Sequence, residues 1–156
     1  MWGSTTPNTV DECTWANAPF NNHSSDYNET YFNSVKKTVC PNGVLAKEYD
    51  AASQIMGGDW RMPTKDDFQE LLANTTVNTI TINGTKVNKL ISKTDNSKYI
   101  VIPVSNYGNI DVWSSSLSTS YSNCAYVLRF DSDEDIYANT GSNLRYKGIV
   151  VRGVRK

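Results

Sequence analysis

Histidine occurs once and cysteine three times in 156 residues, and charge of neither sign prevails: 15 Lys and Arg stand against 16 Asp and Glu. A net charge of −1 raises no field that would draw in a phosphate backbone or an anionic bilayer, so nucleic acid is not an expected partner. No apolar run approaches the roughly 20 residues needed to cross a membrane, and no basic-then-apolar leader precedes a cleavage site. Membrane insertion is not expected. The missing leader does not argue for the cytoplasm, because a mature exported domain has lost its own. The thiols at Cys13, Cys40 and Cys124 show no CxxC spacing for zinc or redox work, and their odd number leaves at least one unpaired. Buried thiols are the first reading and a Cys13–Cys40 disulfide the alternative. The lone His23 lies in a polar stretch with no nucleophile at motif spacing, so general-base catalysis is not expected.

What the chain does contain is enough length for one core and too little for two ordinary domains, so residues 1–156 read as a single domain. Residues 1–42 read as irregular: Pro7, Pro19 and Pro41 interrupt periodicity, and Trp2, Trp15, Phe20, Tyr27, Tyr31 and Phe32 would pin loops to the body. Over 44–56, the apolar positions Val44, Leu45, Tyr49, Ala52, Ile55 and Met56 predict a first helix, stopped by Gly57-Gly58. A second helix follows Pro63, with Thr64 as its cap, Asp67 as a short capping-box acid, and Phe68, Leu71 and Leu72 on its buried face. After residue 76 the period becomes two. Residues 79–82 and 85–90 predict a hairpin around Asn83-Gly84, with further strands at 99–104, 125–130 and 149–154. Two helices followed by short strands imply an α+β fold with a mostly antiparallel sheet.

Three short segments stand in order: Gly58-Asp59-Trp60-Arg61-Met62-Pro63-Thr64, then Trp113-Ser114-Ser115-Ser116, then Val151-Arg152-Gly153-Val154-Arg155. Together with Ala51-Ala52, Phe68 and Leu71-Leu72, they resemble the bacterial branch of the C-type lectin fold. That branch includes the major paralogous domain proteins and the variable proteins of diversity-generating retroelements. The resemblance covers residues 43–156, with a looser echo at Trp2-Gly3, where family members carry an apolar strand ahead of the Trp-Gly segment. It implies a C-type lectin-like fold of the formylglycine-generating-enzyme branch, with two helices, a twisted sheet and an exposed ligand face near the chain's end. The enzymes of that branch use two closely spaced cysteines near the C-terminus, and only Cys124 lies there. Calcium-dependent sugar lectins use Glu-Pro-Asn and Trp-Asn-Asp ligand sets, where this chain has Trp113-Ser114-Ser115. Neither chemistry carries over, so no cofactor and no metal are expected.

Between the second and third segments the composition changes. About half of residues 105–146 are Ser, Asn, Tyr or Asp, a mixture of rigid contact area and adaptable hydrogen bonding like that of antibody paratopes. The expected binding face comprises Tyr107, Asn109, Asp111, Ser116, Ser118, Tyr121, Asn123, Tyr137, Asn139, Asn143, Arg145 and Tyr146, carried on loops at 116–123 and 137–146. Trp60, Arg61, Phe68, Leu71 and Trp113 read as its buried frame. The family resemblance makes 105–146 a diversified region and the partner a protein or glycan on a host or neighbouring cell surface. It implies a non-enzymatic receptor-binding or adhesin role at a cell surface, pilus tip or phage tail fibre. The alternatives are a surface-associated domain with no diversified site, and a formylglycine-generating-type enzyme. Asp131, Asp133, Glu134 and Asp135 form an acidic cluster, but Ile136 stands where an EF-hand needs Gly and Ser142 where it needs Glu. A solvated turn is the expectation there.

Overall fold

A computed structural model describes residues 1–103, 110–131 and 137–155, without the side chains at 131, 137 and 138. Its elements are mixed α and β. The helices are α1 (Glu29–Val39), α2 (Ala51–Met56) and α3 (Lys65–Asn74), with short 3-10 turns at Pro41–Gly43 and Lys47–Tyr49 between α1 and α2. Strands are β1 (Trp60–Arg61), β2 (Thr75–Ile82), β3 (Thr85–Ser92), β4 (Tyr99–Pro103), β5 (Ile110–Leu117), β6 (Cys124–Asp131), β7 (Tyr137–Leu144) and β8 (Val154–Arg155). They form three antiparallel sheets: β1-β8, β2-β3-β4 and β5-β6-β7.

The β5-β6-β7 sheet is the spine, because successive side chains alternate between two hydrophobic clusters. On one face Trp113, Ala125 and Val127 pack with Trp2, Phe32, Val39, Leu45, Ala51, Ala52 and Met62. On the other, Val112, Leu128 and Phe130 pack with Phe68 of α3 and with Leu90 and Ile102 of the second sheet. Neighbours Val112 and Trp113 are both buried, in opposite directions.

Several local expectations hold. Thr64 accepts from Asp67 N at 3.2 Å while the Asp67 carboxylate accepts from Thr64 N at 2.6 Å, the reciprocal cap read from Thr-x-x-Asp. The hairpin turns at Asn83-Gly84, both at positive φ, with Ile82 opposite Thr85, and it is longer than expected at both ends. Phe68 and Trp113 are buried, but Trp60 and Leu71 are only half-buried.

Other expectations are corrected. Among the described residues there are three helices rather than two, because residues 29–39 of the supposedly irregular stretch form α1. Asn28 Oδ1 accepts from Tyr31 N at 3.0 Å to cap it, and Phe32, Val35 and Val39 line its inner side. The helix expected over 44–56 shrinks to α2, because Asp50 ends what precedes it. Its buried carboxylate caps α2 at Ser53 N, 2.8 Å, and also accepts from Met62 N at 2.8 and 3.0 Å. Ahead of it Val44 and Leu45 run beside β5. Residues 149–154 do not form a strand beside β6. Val150 bridges Val112 in parallel, and only Val154–Arg155 pairs, with β1. All three cysteines are free thiols, so Cys13 and Cys40 are not bridged.

Candidate functional site

The expected loop at 116–123 is a loop from Ser118 to Asn123, its first two residues closing β5, whereas the expected loop at 137–146 is largely strand β7. In β5, the serines of Trp-Ser-Ser-Ser absorb a register shift between Trp113 and Leu117 and spend their polar groups on the frame. Ser114 O accepts from Trp2 Nε1 at 2.9 Å, and Ser115 N donates to Pro63 O at 2.8 Å. Ser116 Oγ accepts from Lys65 N at 3.0 Å, satisfying an amide at the start of α3. Ser118 Oγ accepts from Ser120 N and Tyr121 N, shaping the turn into β6. Ser116 and Ser118 are therefore buried structural residues, not members of an exposed face.

Arg145 is the larger correction. Sequence composition marks it as an exposed hot spot, yet it is wholly buried. Its guanidinium carbon lies 3.9 Å from the ring centre of Phe32, 5.4 Å from Tyr27, 5.7 Å from Trp2 and 5.8 Å from Trp15. Nε donates to Ser122 O at 3.1 Å, Arg145 N to Asn123 O at 3.0 Å, and Trp2 N to Arg145 O at 3.0 Å. Arg145 thus clasps the N-terminal segment to the β5–β6 turn. Nη1 and Nη2 have no hydrogen-bond partner among the described residues, and burial pulls the guanidinium below its ordinary pKa, with Tyr27 opposing. The same burial pushes the Cys40 and Cys124 thiols up, with Arg145 offsetting part of the shift. The signal in the sequence was the set of N-terminal aromatics, whose common centre no local pattern reveals.

The remaining expected residues divide between the two ends of the spine. At the β5–β6 turn, Tyr121 is 65% exposed and Asn123 half-buried. Tyr146 is half-buried against Trp15 at 5.0 Å. Toward the other end, Asp111, Arg129 and Asn139 occupy one row across β5, β6 and β7, by the pairs Asp111↔Arg129 and Arg129↔Asn139. Arg129 Nε and Nη2 grip Asp111 at 2.9 and 2.8 Å, and Asn143 Nδ2 reaches the same carboxylate at 2.8 Å. Gly141 lies beneath this guanidinium. A Cβ there would lie 3.4 Å from Arg129 Nη1, so the guanidinium is laid over the glycine. Arg129 was missed as a site residue. Its signal was a lone cation in an otherwise apolar strand, lying opposite Asp111. Tyr107 and Asn109 lie outside the described residues, as do Asp133, Glu134 and Asp135 of the acidic cluster and the side chains of Asp131 and Tyr137.

Among the described residues no three His, Cys, Asp or Glu side chains converge as a metal site would, and His23 is exposed with Nδ1 3.2 Å from Ala16 O. No helix among them is long and apolar enough to cross a membrane. No protein-family model, curated protein or solved structure matches the chain.

Proposed function

We propose that this chain is a non-enzymatic ligand-binding domain of C-type lectin-like fold, related to the variable proteins of diversity-generating retroelements. Its partner is a protein or glycan on a host or neighbouring cell surface, and its setting is a cell surface, pilus tip or tail fibre. The supporting observation is strand β7: none of its residues 139–144 is buried, and Asn139, Thr140, Gly141, Ser142 and Asn143 are small or polar. A strand held by backbone bonds to β6 and owing little to the core tolerates substitution, which is what a diversified surface requires. The revised face comprises Asp111, Arg129, Asn139 and Asn143, with Tyr121 at the far end; Tyr107, Asn109 and Tyr137 stay among the proposed diversified positions on sequence alone. Ser116, Ser118 and Arg145 leave the face and join its frame.

A second reading, a surface domain with no diversified site, draws support from the Asp111–Arg129–Asn143 network, whose members satisfy one another. Two measurements separate the readings. Capture of host-surface material should fall in a Tyr121→Ala/Asn139→Ala double variant, aromatic groups being frequent hot spots, while each single change shifts stability by no more than about 0.5 kcal/mol. The DNA encoding residues 105–146 should differ from a nearby template repeat mainly at adenines. Unchanged capture together with the absence of such a repeat would leave the second reading standing. Oxidation of a peptide cysteine by the protein would overturn both.

A further inference from the structure

Among the described residues, two of the four outer edges of the two larger sheets are obstructed, and of the other two β2 has the stronger strand-forming sequence. On β5, Trp113 N is bonded to Val150 O, and Ser115 N and O are bonded to Pro63 and Leu45. On β4, Arg152 Nη1 occupies Val101 O at 2.8 Å, and Pro103 has no N–H to offer. On β7, Gly141 keeps its register opposite Val127, but Asn139, Gly141, Ser142 and Asn143 carry little strand preference. Strand β2 has none of these features. It contains no charge, no proline and no glycine, and seven of its eight residues are β-branched: Thr75, Thr76, Val77, Thr79, Ile80, Thr81 and Ile82. Folded monomers usually blunt such an edge with Lys, Pro or a bulge.

The parity of the ladder shows which groups are free. Lys93 N donates to Asn74 O, and Ile82 and Thr85 flank the two-residue turn, so the even-numbered residues of β2 exchange bonds with β3. Val77, Thr79 and Thr81 consequently turn N–H and C=O to the outer edge, where no described strand meets them. Thr79 and Thr81 are exposed, as is Asn78 between Val77 and Thr79.

We infer that β2 pairs antiparallel with β2 of a second copy of this chain about a twofold axis normal to the sheet, joining two three-stranded sheets into one of six strands. Such an axis keeps odd residues opposite odd residues, so the outward groups at 77, 79 and 81 meet their own counterparts. The twofold gives each strand the partner it requires: extended, of equal length and uncharged, so no like charges are opposed. Lys86 and Lys89 sit one strand back on β3, opposite Thr81 and Asn78. The inference is independent of the proposed ligand face.

The test is sedimentation equilibrium of the intact chain from micromolar to millimolar concentration. The expected result is a weight-average mass rising from 17.4 kDa toward twice that value and no further. Asn78→Lys places two ammonium groups close to the axis, and Thr81→Pro removes an outward donor that β3 does not use. Each should weaken the dimer more than about tenfold, like-charge contacts and lost ladder bonds being costly, with the circular-dichroism melting curve retained. In the parent, amide exchange at Val77, Thr79 and Thr81 should slow as concentration rises, a readout that needs no variant. A monomer throughout the range, assembly beyond two copies, a dimer indifferent to both substitutions, or concentration-independent exchange at those amides would each overturn the inference.

Discussion

Replacing Arg145 with alanine should destabilise the fold by about 3 to 5 kcal/mol, as for a large buried side chain whose site does not collapse. The magnitude follows from what the guanidinium touches. Four rings surround it at 3.9 to 5.8 Å, each face contributing on the order of 0.5 to 2 kcal/mol when shielded from water. Truncation also leaves Ser122 O without the Nε bond, a further cost of about 1 kcal/mol. Against these stands the penalty of burying a charge with no carboxylate beside it, which alanine relieves. Arg145→Met separates the terms, since it retains most of the stem's packing while removing the charge. If ring attraction outweighs desolvation, the methionine variant falls between alanine and parent. If desolvation wins, it exceeds the parent. Urea denaturation followed by tryptophan fluorescence reads the change directly, because Trp2 and Trp15 form two walls of the cage. The alanine variant should lose several degrees of melting temperature at this chain length, at about 2 to 4 °C per kcal/mol. A midpoint within about 0.5 kcal/mol of the parent would refute the clasp and return Arg145 to the exposed surface.

Asp67 provides a pH prediction. Bidentate contact with Arg61 at 2.6 and 2.9 Å, with the Thr64 cap bonds adding to it, holds its carboxyl well below the usual range. A depressed folded pKa means the unfolded chain binds the proton more readily. The stabilisation is therefore complete above the unfolded value of about 4 and drains away as pH falls below it. Acid denaturation of Asp67→Asn should show a shallower decline below that pH than the parent, and equal slopes would remove Asp67 from the account. Trp113, wholly buried between β6 and the N-terminal segment, should cost about 3 to 5 kcal/mol on change to alanine; an unaltered urea midpoint would show the first core cluster to be misassigned.

The parts of this protein that were legible in its sequence are those decided within a few residues. Thr64 and Asp67 cap α3 because the partner amides lie three positions away, and Asn83-Gly84 turns the hairpin because both positions need positive φ. The turn at Asn83-Gly84 marked β3 as the return strand of the hairpin, and the short apolar run of 99–104 marked β4, both local signals. Helix α1 was weakly legible: Phe32, Val35 and Val39 have helical spacing, but a polar background concealed it. Strands β5 and β7 were not legible, because Ser, Asn and Gly carry little strand preference, and it is the ladder to β6 that holds them extended. The distribution of the polar residues between site and frame belonged wholly to tertiary structure. Ser116 is buried because the N-terminus of α3 arrives beside it, Asp111 is gripped because Arg129 lies opposite it on the neighbouring strand, and Arg145 is enclosed by rings more than a hundred residues away. Local pattern records what a residue can do; burial depends on which distant surfaces meet it, and only the closed core decides that.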